Sequence, residues 1–135
     1  MSDTLDPYSA LRDRTKAYAS RIIKLYAHLQ QTYRFDDAAM VLGKQLLRSA
    51  TLVAANHREA KHARSRADRM AKFHIILQEL EESALWLELL QEHHMARADG
   101  LEQLLTETSE LIAIFIASLH KLEQPNNSTF ERSNA

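Results

Sequence analysis

The chain has 135 residues, 45% hydrophobic and 26% charged, which is the size and composition of one soluble globular domain. Two glycines and two prolines are too few turn-makers for a β-sandwich or barrel, so the expected fold class is all-α. The absence of cysteine excludes a disulfide framework, a thiolate nucleophile and a sulfur-ligated zinc site, and a formal charge of -1 gives no global pull toward nucleic acid or membrane.

The opening MSDTLDPYSA has no basic stretch followed by an apolar run, and nothing approaches the ~18 apolar residues of a membrane span, so a cytoplasmic protein is expected. Asp6 and Pro7 can cap and start a first helix reaching Tyr33, with Leu11, Tyr18, Ile22, Leu25, Leu29 and Tyr33 at three- and four-residue steps. Asp36 and Asp37 give a second N-terminal signal, and the next helix is expected from about Asp37 to Asn56. Its stripes, Leu42, Leu46, Ser49, Val53 and Leu47, Ala50, Ala54, are rich in small residues that permit close helix approach.

From His57 to Arg69 there is no strong apolar residue and there are five Arg or Lys against two acids. This reads as a basic connection or a solvated helical extension. A third helix from Met70 shows a regular seam of Met70, Phe73, Leu77, Leu80, Ala84 and Leu87, and ends near His94, with Gly100 allowing the turn. A fourth carries Leu101, Leu104, Thr108, Leu111, Phe115, Ser118 and Leu122 and stops before Pro125. Residues 125–135 have the composition of a disordered tail. The domain is therefore expected over residues 1–124, as an antiparallel up-down four-helix bundle, because short links return each helix beside its predecessor.

The last two helices carry more apolar surface than one contact stripe needs. Trp86, Leu89, Ile112, Ile116 and Leu119 would each forfeit about 1.5–3 kcal/mol if left in water, so an interface with another subunit is expected there. Charge is also segregated: residues 11–72 hold 14 Lys or Arg against 5 acids, and residues 79–110 hold 9 acids against Arg97 alone. Arg58, Lys61, Arg64, Arg66 and Arg69 form the candidate surface for phosphate or an acidic partner, with neutralisation by neighbouring acids as the competing explanation. No aromatic residue interleaves that run, so base stacking has no support in the linear sequence.

Catalytic chemistry finds little footing. A di-iron bundle needs two Glu-x-x-His pairs and two further carboxylates, whereas Glu59 with His62 is the single such pair. A metal- or small-molecule-binding bundle using Glu59 and His62 stands as the alternative to a non-enzymatic interaction protein. Ser49 and Ser83 lack a general base at helical spacing, and Gly43 has no phosphate-loop context. Neither an enzyme nor a bound cofactor is expected.

The run QLLRSATLVAANHREA from Gln45, followed after a basic stretch by FHIILQELEESALWLELL, resembles the four-helix-bundle family encoded by intervening sequences in large-subunit ribosomal RNA genes. Gln45, Ser49, Ala50, Asn56 and Glu59 match its pattern in register, and Phe73 and Ser83 keep its separation. Ala60 stands where the family usually has Gly, Glu82 and Trp86 are also departures, and the basic link is about one helical turn longer. The resemblance implies a homopentameric ring of up-down bundles. A related branch serves as a basic accessory protein to reverse transcriptases of diversity-generating retroelements, but this chain lacks that branch's strong positive charge. For most members no biochemical function is established, and the partners expected here are other copies of the chain and RNA or an acidic protein.

Overall fold

The computed structural model describes residues 6–124, and among them there are four helices and no strand: α1 (Pro7–Tyr33), α2 (Asp37–Ala60), α3 (Arg66–Glu92) and α4 (Ala98–Glu123). The expected tail at 125–135 lies outside the described residues. Three of the helices start on side-chain caps. Asp6 accepts from the Tyr8 amide ahead of Pro7, Asp36 accepts from the Ala39 amide, and Ser65 accepts from the Asp68 amide while Asp68 accepts in turn from the amide of Arg64. That last pair explains a difference from the sequence reading. The basic stretch is not a long connection, because α2 continues to Ala60 and Ser65 restarts the helix, leaving only residues 61–65 as the turn.

The α3–α4 turn also differs from expectation. Gly100 lies inside the first turn of α4 and does not make the reversal. Instead His94 adopts φ 54°, and the amides of His94 and Met95 bond back to the carbonyls of Gln91 and Leu90. This is the double bond-back that ends helices on a left-handed residue, with a histidine in the place glycine usually takes. Met95 then packs on the core.

The core is built from Tyr18, Ile22 and Leu29 of α1, Leu46, Ala50 and Val53 of α2, Ile76, Leu80, Leu87 and Leu90 of α3, and Leu101, Leu104, Leu111 and Phe115 of α4. On α3 the fully buried line runs through Ile76, Leu80, Ser83, Leu87 and Leu90, whereas Met70, Phe73, Leu77 and Ala84 are half-buried. The expected seam is thus rotated by about one residue. Gly43 lets α1 come close: a Cβ there would sit 3.0 Å from Tyr26 Cδ1 and 3.1 Å from Leu29 Cδ1.

Consecutive helices pack backbone against backbone, whereas α1 and α4 stand farther apart. That seam is spanned by polar groups. Arg14 grips Glu107 with two bonds of 2.8 and 2.7 Å, and the Tyr18 and Thr108 hydroxyls meet at 2.7 Å. Beyond them the seam holds a groove of about 310 Å³ floored by Leu25, Leu101 and Leu104. Ser83 lies beside the Tyr18 phenol and favours its ionised form, and the Ser83 and Ser49 hydroxyls lie 2.7 Å apart. One buried hydroxyl from each helix therefore joins a single polar layer across the bundle.

Candidate binding site at the basic end of the bundle

The last turns of α2, residues 61–65 and the first turns of α3 meet the start of α1 and the end of α4. His57 is the centre of this end. Although it falls in the stretch expected to be solvated, it is only 3% exposed, because Ala50 and Val53, seven and four residues before it, and Ala60, three after it, share its inward face. Its ring stacks on Tyr8 at 4.8 Å and meets Phe115 edge-on at 5.8 Å, while Phe73 meets Phe115 from another side at 5.7 Å. Burial, then the charges of Arg58 and Arg69, lower its pKa from 6.5 to about 4, so the imidazole is neutral at pH 7.

The five basic residues do not form one free patch. Arg58, Lys61 and Arg64 are exposed, and the Lys61 ammonium sits 4.8 Å from the Tyr8 ring centroid. Arg66 is turned inward: its Nε donates to the Leu122 carbonyl and its second guanidinium nitrogen to the Gln124 carbonyl at 2.8 Å. It satisfies carbonyls that α4 leaves open at its C-terminus, so as a candidate binding residue it is corrected to a structural cap. Arg69 is half-buried, and its charge acts on His57. A cavity of about 250 Å³ opens among Asp6, Tyr8, His57, Ala60, Lys61, Arg69 and Phe73. Folding therefore brings Tyr8 and Phe73, absent from the basic run itself, beside it.

The motif residues divide by role. Ser49 and Ser83 form the polar layer, and Ala50 is in the core. Asn56 donates from Nδ2 to the Leu52 carbonyl of its own helix, and Gln45 is exposed. Glu59 pairs with Lys72 at 2.9 Å across the α2–α3 turn, which raises the lysine pKa through their hydrogen bond. His62 is exposed, and among the described residues no three His, Asp or Glu side chains come together in a metal-holding group.

Of the expected interface residues, Ile116 is exposed, and Trp86, Leu89 and Ile112 are half-buried. Leu119 is corrected: it is buried within the bundle on the line Leu111, Phe115, Leu119, Leu122. Further exposed apolar residues are Ile23, Phe35, Val41, Ile75 and Leu85. Glu79 is buried beside Arg48 at 3.9 Å, and burial raises its carboxyl pKa. No described helix is long and apolar enough to cross a membrane.

The arrangement is similar to a solved structure from Bacteroides thetaiotaomicron VPI-5482, a protein of unknown function from the S23 ribosomal protein family. The TM-score is 0.75 and the identity 32%, covering 89% of this chain and 99% of that one. No curated protein matches. The 23S rRNA-intervening sequence protein family matches residues 11–117, which include the hydroxyl layer, His57 and most of each helix, and the chain belongs to that family.

Proposed function

We propose that this protein is a non-enzymatic assembly protein whose subunits join head to tail into a closed ring, the α1–α2 face of one against the α3–α4 face of the next. The observation that carries this reading is the pair of unpartnered apolar sets. Ile23 and Val41, with Phe35 at 86% exposure in the turn between their helices, lie on the first half, and Ile75, Leu85 and Ile116 lie on the second. Two different surfaces that bind each other generate a ring when the rotation closes. Charge supports the same pairing. α1 and α2 carry eight Lys or Arg against three acids, and α3 and α4 carry four against eleven. Within a subunit the helices run up and down, a reading supported by Tyr8 against His57 at one end and the Tyr33 hydroxyl against the His94 carbonyl at the other. Five subunits is the number that the family resemblance implies.

In the ring, each subunit presents Arg58, Lys61 and Arg64 as a cationic end for a polyanion, with RNA favoured. Light scattering should give about five times 15.5 kDa, and a monomer at micromolar concentration would remove the reading. If three phosphates are neutralised per engaged subunit, the log–log salt slope is about -2 to -3, with slight sequence preference. Arg58→Ala with Arg64→Ala should weaken all RNAs alike. Failure to retain RNA at about 50 mM salt would exclude the polyanion role, which depends on this electrostatic term, and would leave an acidic protein as the partner to seek.

A further inference from the structure

The cavity at the basic end has the make-up of a ligand site inside a single subunit, independent of ring formation. Its floor is apolar, from Ala60 and Phe73, and its wall is the stacked pair Tyr8 and His57. Two cations, Lys61 and Arg69, border it. Asp6, the one acid in the lining, already accepts from the Tyr8 amide and the Ser9 hydroxyl, each at 3.0 Å. His57 lines the same space, and although it is almost wholly buried its Nδ1 has no hydrogen-bond partner among the described residues. Buried polar atoms are nearly always satisfied, so an unsatisfied imidazole nitrogen at a cavity wall points to a missing partner. The polar groups converge on one side of an otherwise apolar and aromatic space, which is the usual composition of a small-molecule pocket.

We propose that this cavity binds a small organic anion with a flat apolar body, of the size of a single-ring aromatic carboxylate. The body lies over Phe73 and Ala60, and the carboxylate faces Lys61 and Arg69 and takes up hydrogen bonding with the His57 imidazole. The volume of about 250 Å³ admits one ring and not a fused polycyclic cofactor. Both parts of the ligand matter. A bare anion leaves the apolar floor uncovered, and an uncharged ring forms no ion pair with Lys61.

The test uses the full chain with three probes, benzoate, benzamide and inorganic phosphate, read by calorimetry and by the imidazole and Phe73 ring resonances in NMR. For a nine-atom ligand the benzoate dissociation constant is expected on the order of 1 mM. Benzamide and phosphate are each expected at least about tenfold weaker, because each lacks one of the two contacts. Lys61→Gln, at an exposed position that folding tolerates, should weaken benzoate by about fivefold or more while leaving the melting temperature in place. Benzoate that does not saturate at about 20 mM, well above the constant expected from its size, overturns the site. So does phosphate binding as tightly as benzoate, which marks simple anion binding, or benzamide binding as tightly, which marks a plain apolar hole. Unchanged benzoate affinity in Lys61→Gln overturns the assignment of the anion's partners.

Discussion

Replacing Thr108 by Val keeps the shape of the side chain and removes one oxygen from the polar layer. Thr108 Oγ1 donates to the Leu104 carbonyl at 2.7 Å, so the Tyr18 hydroxyl, 2.7 Å away, must be the donor between them. In Thr108→Val that buried phenol loses its main acceptor. Orphaning a buried donor costs about 1–3 kcal/mol, and because Ser83 offers a second partner the expected loss is in the lower part of that range, about 1–2 kcal/mol. Tyr18→Phe is milder, about 1 kcal/mol, since Thr108 keeps its bond to the carbonyl. The double variant should cost about as much as Tyr18→Phe alone, because neither polar group then remains to be satisfied. Urea unfolding of the four proteins at one protomer concentration measures this cycle. If the two single effects simply add, the hydroxyls are not coupled and the polar-layer account is wrong.

Ile116→Asp places a charge in the proposed apolar contact and should convert the ring to subunits of 15.5 kDa in light scattering, with the helical circular dichroism retained. His94→Gly should raise stability by about 1 kcal/mol in chemical denaturation, because glycine takes the left-handed conformation at His94 without the Cβ penalty; a loss of stability would show that the imidazole itself contributes. Because the folded-state pKa of His57 is depressed from 6.5 to about 4, the unfolded chain takes up a proton first. Stability should therefore hold above pH 6.5 and fall as pH is lowered through 6.5 toward 4, by up to about 3 kcal/mol. Glu107, whose pKa is lowered by its hydrogen bond to Arg14, adds its own loss only at more acidic pH. His57→Gln should flatten the upper part of the profile, and a wild-type profile already flat between pH 7 and 4.5 would contradict the burial argument.

Periodicity and caps made most of the fold legible. Pro7 and Tyr33 bound α1 as read, since Asp-Pro and Asp-Asp signals sit directly beside clear apolar stripes. In the region from His57 to Arg69 the helical extension holds at both ends, whereas the solvation expected from its polar composition fails at His57. His57 is buried by aromatic neighbours from α1 and α4, which are distant in sequence and invisible to any local window. The clue that was present, Ser65 three residues before Asp68, is a capping box with Asp in place of Glu. It would have shortened the connection. Arg66 illustrates a second blind spot. Nothing local distinguishes a guanidinium aimed at solvent from one aimed at the carbonyl end of another helix. The α3 seam was displaced because α3 is apolar on several sides, so its heptad spacing alone could not choose which stripe faces inward.

The wide seam between α1 and α4 has a consequence for how the bundle opens. Three of its four sides are zipped by apolar contacts between chain neighbours, and the fourth is latched by Arg14, Glu107 and one pair of hydroxyls. Salt loosens the Arg14–Glu107 pair, and acid reaches the same edge through His57, held between Tyr8 of α1 and Phe115 of α4. The molecule should therefore yield like a folded strip released along one edge, α1 and α4 swinging apart while the α2–α3 hairpin persists. An anion that competes for Arg14 would work as the release, and hydrogen exchange should register it first in the facing turns of α1 and α4.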